Sequence, residues 1–309
     1  MIKRTLYFGN PAYLSISKSQ LVVQIPPAAQ NKSVSLLPSY VTAASIPVED
    51  IGVVVFDNYQ ITLSHAVLQY LLDNNVAVVS CDARHHPVGL LLALQSNTIQ
   101  NERYRTQLDA SEPLKKQLWA QTIGQKIKNQ AASLSQLGVD NGYLIPLHRN
   151  VKSGDSDNVE ATAAAYYWQH ILQQVPGFRR HREGIPPNNY FNYAYAILRA
   201  TMARSIVAAG LLPTLGIHHA NRYNAYCLAD DLMEPYRPFA DIMVMHWIAA
   251  NGIKEELEKS DKAELLKVPV MDVIIDGEKS PLMIATQRTA VSLVKCFEGE
   301  WRKLLYPEM

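Results

Sequence analysis

The sequence predicts an α+β fold, with an N-terminal β-rich domain over residues 1–100 followed by a C-terminal all-α domain over residues 101–309. Two observations carry this. The first hundred residues hold short β-branched runs cut by prolines and polar pairs, which is how strands and turns read. From Asn101 those runs thin, and apolar residues recur at three- and four-residue steps, the period of a helix with one buried face.

Taken in order, strands are expected at 21–25, 33–37 and 51–56, punctuated by Pro26-Pro27, Pro38 and Asp57-Asn58. Ser64 suits the N-cap of a helix that carries Val67, Leu68, Leu71 and Leu72 on one face and ends at Asn74-Asn75. A buried strand at 76–79 runs to Cys81-Asp82, and another covers 88–92. The domain boundary falls in 95–105, in the polar stretch Gln95-Ser96-Asn97-Thr98. Beyond it, helices are expected at 113–137, 160–174, 188–211, 240–250 and 286–304. In the third, Phe191, Tyr195, Leu198, Met202 and Ile206 form one stripe, and Gly210 and Pro213 mark its end. The loop at 152–158 leads directly into Glu160.

Composition narrows the function classes. The chain has 309 residues, 48% hydrophobic and 18% charged, enough to bury a proper core. No apolar run is long enough to span a bilayer, and no apolar segment follows Lys3-Arg4, so neither membrane insertion nor secretion is expected. Cys81, Cys227 and Cys296 form no zinc spacing and no disulfide framework, which fits a reducing cytoplasm. There is no phosphate-binding glycine loop and no dinucleotide motif. Net charge is +1, yet residues 101–204 carry 13 basic and 8 acidic side chains, whereas 205–250 carry 2 and 4. Such a distribution suits a phosphate-binding surface around a cation site; scatter over a solvated surface produces it too.

Three polar positions stand in helical, apolar surroundings. Glu160 precedes the small residues Ala161 to Ala165. It is either a first-turn acid stabilised by the helix dipole or a carboxylate turned inward. His218-His219 follows a Gly- and Leu-rich segment, and Asp230-Asp231-Leu232-Met233-Glu234 places Asp231 and Glu234 three residues apart. Acids grouped in an apolar setting repel unless a cation compensates or the surface solvates them. Two carboxylates and an imidazole suit Mg²⁺ or Mn²⁺ rather than zinc.

The run 187–198, Pro-Asn-Asn-Tyr-Phe-Asn-Tyr-Ala-Tyr-Ala-Ile-Leu, resembles the signature helix of the CRISPR-associated integrase/endonuclease family of spacer acquisition. It continues into 209–219, similar to that family's glycine-leucine-proline-leucine-glycine-histidine segment, and 231–238 is similar to its third motif. The entry Val48-Glu49-Asp50-Ile51 and the run 76–82 are similar to its β-domain, and the pattern is nearest to the type II version. The resemblance implies Glu160, His219 and Glu234 as catalytic metal ligands, with Asp231 and His218 accessory. His219 is chosen because the family's histidine lies fifteen residues before its last acid, and 234 minus 219 is 15. Ala163 to Ala165 depart from the family, whose members often carry an arginine just behind the first ligand.

The same resemblance implies a Mg²⁺- or Mn²⁺-dependent enzyme that inserts captured double-stranded DNA into a CRISPR repeat by 3′-hydroxyl transesterification. It implies a homodimer formed through the β-domain, two of which flank a small ferredoxin-fold partner in a hetero-hexamer. Arg179, Arg180, Arg182, Arg199, Arg204, Arg222 and Arg237 are candidates to grip phosphate, Arg237 foremost. Tyr166, Tyr167 and Trp168 either stack on bases or fill the core. A stand-alone metal nuclease would need the same residues, and a non-catalytic DNA scaffold would not need the ligands.

Overall fold

The computed structural model describes residues 3–26, 41–173, 175, 177–181 and 183–309. The strand expected at 33–37, and Arg182, lie outside the described residues. The chain divides into two compact units, Met1–Ser96 and Asn97–Met309. Among the described residues, no helix is long and apolar enough to cross a membrane.

The first unit contains β1 (Arg4–Phe8), β2 (Ala12–Ser17), β3 (Gln20–Ile25), β4 (Val41–Pro47), β5 (Ile51–Phe56), β6 (Ile61–Leu63), α1 (His65–Asp73), β7 (Ala77–Cys81) and β8 (Pro87–Leu91). One sheet has the order β4-β3-β2-β6; β2, β3 and β4 run antiparallel and β6 joins β2 in parallel. The other has the order β1-β5-β7-β8, parallel except for β8. Ile51 to Val55 are buried without alternation, as expected of a parallel strand covered on both faces. Leu14, Leu21 and Val23 of one sheet share a core with Ile51, Val54 and Val78 of the other and with Val67 and Leu71 of α1. Ser64 does occupy the N-cap position of α1, although its side chain makes no capping bond there.

The second unit contains α2 (Gln100–Leu108), α3 (Glu112–Gln136), α4 (Leu144–Leu147), α5 (Val159–Ile171), α6 (Asn188–Ala208), α7 (Cys227–Met233), α8 (Arg237–Asn251), α9 (Lys259–Leu265) and α10 (Leu282–Phe297). The Ser111 side chain caps α3 by accepting from the Leu114 N–H, and Pro113 sits in its first turn. α6 is buried along most of its length and packs against α7, α8 and α10. The expectation of an all-α second domain is corrected: it is mostly helical, with a small sheet of order β10-β9-β11. The strands are β9 (Asp272–Ile275), β10 (Glu278–Pro281) and β11 (Pro307–Glu308). Asp276 and Gly277, at φ 56° and 76°, make the tight turn between β9 and β10, the preferred chemistry for a two-residue hairpin.

Candidate catalytic site

The site is built on α3. Trp119, Thr122, Lys126, Asn129 and Ser133 recur at three- and four-residue steps, so they lie along one face, and all are buried. A buried ammonium needs anionic partners. Lys126 Nζ lies 2.6 Å from Glu160 Oε1 and 2.7 Å from Glu234 Oε2. Burial alone would pull the lysine pKa down; Glu234 and Glu160 outweigh it and hold it above the ordinary value.

Each carboxylate is delivered by a local device. Asn158, in left-handed backbone at φ 52°, makes no capping bond at the start of α5. Instead the Asp155 carboxylate accepts from the Val159 and Glu160 N–H groups at 2.9 and 3.0 Å. That closes the first turn of α5 and orients Glu160 toward Lys126. Glu234 opens the 3-10 turn between α7 and α8, 3% exposed. Its Oε1 pairs with Arg237 Nη2 at 2.9 Å. Its Oε2 faces the Lys126 ammonium at 2.7 Å. Burial would raise the Glu234 pKa, but Arg237 and Lys126 reverse this and leave it below the usual carboxylate value.

His219 stands in the loop between α6 and α7. Buried Gln107 holds that loop, donating from Nε2 to the carbonyls of Leu212 and Leu215 and accepting from the Leu212 N–H. Asp231 is fully buried and accepts from the backbone N–H groups of His218 and His219. It also pairs with His219 Nδ1 at 2.5 Å, leaving Nε2 as the nitrogen able to coordinate. Gly216 is required here, since a Cβ would lie 2.3 Å from the His219 carbonyl oxygen and 2.7 Å from Asp231 Oδ2. The Asp231 hydrogen bond raises the His219 pKa against the pull of partial burial, and Glu234 and Glu160 add to the rise. Both carboxylates therefore lie within electrostatic reach of the ring.

Glu160 and Glu234 thus meet at Lys126, and the His219–Asp231 pair lies within electrostatic reach of them. Among the described residues, no group of three or more His, Cys, Asp and Glu side chains closes to metal-holding geometry. The carboxylates close on Lys126 instead. The donor set still fits a hard divalent ion: two carboxylates already closed on one cation, and an imidazole whose other nitrogen is anchored. His218 does not share this role. Its ring stacks on Trp119 at 4.2 Å, while Trp119 presents itself edge-on to His219.

The arginines separate by environment. Arg179 and Arg222 are exposed, and Arg222 lies 4.6 Å over the Tyr223 ring. Arg199 is half-buried and forks onto Asp230 at 2.6 and 2.9 Å. Arg180 is packed over Trp168, Phe191 and Tyr195 and bonds Asn188. Arg204 is 7% exposed within α6, so its guanidinium packs in the interior rather than facing solvent. Arg237 is committed to Glu234 and to the Tyr195 face. Tyr167 is fully buried and Trp168 half-buried, both packing residues.

Behind the site, Tyr195 and Tyr167 donate to the two oxygens of buried Asp241 at 2.6 and 3.0 Å. Burial pushes the Asp241 carboxyl up to about 6 despite those bonds and the nearby Arg180 and Arg237. A cavity of about 290 Å³ opens beside His219, lined by Gln107, Lys115, Thr214, Asn221, Arg222 and Asn224 among others.

The model of the family described as CRISPR associated protein Cas1 matches residues 6–276. The chain is 33% identical over 294 residues to the CRISPR-associated endonuclease Cas1 of Neisseria meningitidis serogroup C, covering 94% of this chain and 91% of that protein. The chain belongs to the Cas1 family. A second Cas1 endonuclease, from Saccharolobus solfataricus, is 28% identical over 283 residues, covering 85% of this chain and 84% of that protein. Among solved structures, a casposase bound to integration product superposes with TM-score 0.77 at 19% identity, covering 98% of this Cas1 chain and 92% of the casposase. A Cas1 protein from Thermotoga maritima superposes with TM-score 0.71 at 15% identity, covering 96% and 98%. At those identities the structural likeness speaks for the fold, and the sequence matches for the family.

Proposed function

We propose that this Cas1 chain is a divalent-metal-dependent DNA endonuclease/integrase of CRISPR adaptation, with Glu160, His219 and Glu234 as metal ligands. One observation carries the reading: Glu160 of α5 and Glu234 of the turn after α7 close on one cation, Lys126, within electrostatic reach of His219, whose imidazole is oriented by a buried aspartate. Membership in a family whose curated relatives are named endonucleases supports it, as does the fold shared with a casposase bound to integration product.

Mg²⁺ or Mn²⁺ bound by these residues would supply Lewis-acid polarisation of the phosphodiester and charge stabilisation on the transferring phosphoryl group. The chain's own groups do the rest. Glu160 and Glu234 provide carboxylate oxygens, His219 provides Nε2, and Asp231 holds the tautomer by accepting from Nδ1. Arg237 keeps Glu234 ionised in a buried setting. The cavity beside His219, lined by apolar side chains such as Leu108, Leu215 and Phe297 together with Lys115 and Arg222, suits a nucleotide next to the reacting bond, with those two cations available to its phosphate. A 3′-hydroxyl in the nucleophile's position gives strand joining, and water there gives cleavage. Exposed Arg179 and Arg222, with Arg199, are the arginines suited to hold the duplex.

The partners follow from the same reading: double-stranded DNA, a second copy of the chain through the β-rich unit, and a small ferredoxin-fold protein completing a hetero-hexamer. A Cas6-RT-Cas1–Cas2 complex, 35% of one chain of which superposes on this one with TM-score 0.72 at 17% identity, supports such an assembly. The match to the Neisseria protein supports the type II assignment. The test is strand joining of a free 3′-end into a repeat substrate, with Mg²⁺ or Mn²⁺ and with EDTA. Glu160→Ala is expected to abolish joining while leaving the melting transition cooperative. Joining by that variant at the wild-type rate would overturn the ligand assignment.

A further inference from the structure

We propose that Lys126 is a built-in stand-in for the metal: its ammonium bridges Glu160 and Glu234 where the divalent ion binds, and the ion enters by displacing it. The inference rests on the ligand assignment above and extends it to how the site is held before metal arrives. The geometry is direct. Nζ sits 2.6 Å from one carboxylate and 2.7 Å from the other, closing both onto a single cation. A divalent ion at about 2.0–2.1 Å from the same oxygens would overlap the ammonium. The two cations therefore compete for one gap.

Charge leads to the same conclusion. Two acids brought together in a nearly buried site repel unless a positive charge stands between them. Arg237 serves only Glu234, through Oε1. Lys126 touches both acids, and its side chain is only 9% exposed. Both contacts set one compact positive charge against a carboxylate oxygen, at 2.6 and 2.7 Å, with no covalent or coordinate bond to break. Such a contact yields readily to a doubly charged ion. A lysine suits this duty better than an arginine, since its compact charge rides on a flexible four-carbon stem rather than a planar fork. Lys126 thus positions the ligands and is not itself a ligand.

The experiment titrates Mn²⁺ alone into the full chain, reading bound ion by electron paramagnetic resonance and, in parallel, the melting temperature with and without Mn²⁺. Lys126→Met is expected to bind Mn²⁺ at least ~10-fold more tightly than wild type, because the competitor is gone. Its metal-free melting temperature should fall, and Mn²⁺ should raise it by more than in wild type. A merely structural lysine gives the opposite sign, with weaker binding. Lys126→Arg keeps a competing charge and should bind no more tightly than wild type. If Lys126→Met does not fold even with Mn²⁺, Lys126→Gln is read in its place with the same expectation. Unchanged or weaker affinity in the neutral variant overturns the inference. Glu160→Gln and Glu234→Gln separate the two levels of argument. If they bind Mn²⁺ as wild type does, the ligand assignment itself has failed. If they lose it while Lys126→Met binds as wild type, only the stand-in role has failed.

Discussion

Replacing Asp231 by Asn tests whether the imidazole is a prepared ligand. The substitution keeps size and shape and removes one acceptor. Asp231 Oδ1 meets His219 Nδ1 at 2.5 Å, and Oδ2 meets the His218 N–H at 2.9 Å. An asparagine satisfies only one of these. If its oxygen faces the backbone, its amide donates to Nδ1 and moves the imidazole proton to Nε2, the nitrogen that coordination needs. If its oxygen faces Nδ1, its amide points at the His218 N–H, donor against donor. Either arrangement loses a charge-assisted bond worth roughly 1.5–3 kcal/mol. At about 1.4 kcal/mol per decade, metal affinity should fall about 10- to 100-fold, in line with the usual cost of removing such an outer partner. The assay is Mn²⁺ binding to the full chain, with single-turnover strand joining at saturating Mn²⁺ alongside. Affinity and joining both within twofold of wild type would refute the claim that Asp231 sets the tautomer.

Three further outcomes follow from burial and exposure. Asp241 titrates near 6 in the folded chain against an ordinary 3.8, so the native state binds the extra proton between those values. The contribution of this group is fully present below pH 3.8 and is lost as pH rises through about 6, up to ~3 kcal/mol at 1.36 kcal/mol per unit. The groups facing it are Tyr167 of α5, Tyr195 of α6, Arg180 and Arg237. Urea unfolding should show wild type losing that much relative to Asp241→Asn between pH 4 and 7, and parallel curves would count against it. For DNA, Arg222→Ala should lower the slope of log affinity against log salt by about 1. Arg204→Met should leave the slope unchanged and cost roughly 1–3 kcal/mol of stability; a changed slope would mean the guanidinium reaches phosphate after all.

Much of the frame was legible in the residues because period and composition are local signals. The switch from β-branched runs to three- and four-residue spacing marks a true change of architecture, and the helices expected at 113–137 and 188–211 occur as Glu112–Gln136 and Asn188–Ala208. β2 was readable too, since Ala12 and Leu14 alternate with Tyr13 and Ser15 in burial as in polarity, but its short span did not stand out. The Asp276-Gly277 hairpin was missed although its dipeptide is a strong signal, because a helical reading of the second half overrode it. The last helix ends at Phe297 rather than 304, just ahead of Gly299 at φ 80°. Among the site residues, nothing local distinguishes Arg204 from a surface arginine. Its burial is decided by elements far away in sequence that pack on α6.

The polar face of α3 was invisible for a physical reason with wider force. Sequence reading assigns polar residues on an amphipathic helix to solvent, yet Thr122, Lys126, Asn129, Gln130 and Ser133 are all buried beside apolar Leu118, Ile123, Ile127 and Leu134. A helix apolar on one side and polar but buried on the other must have another part of the protein covering both. Here the polar side meets the site at successive turns. Trp119 stacks on His218 and stands edge-on to His219, and Lys126 joins Glu160 to Glu234. Asn129 donates to the carbonyls of Pro235 and Pro307, and Ser133 to the Tyr167 hydroxyl. One rigid element thus fixes the relative positions of groups from α5, the His219 loop and the turn after α7. A spacing of 119, 122, 126, 129 and 133, polar or aromatic at every step inside a long helix, is a readable signature of that role. A site assembled from three distant segments needs such a spine, because no single segment can set the distances between the others.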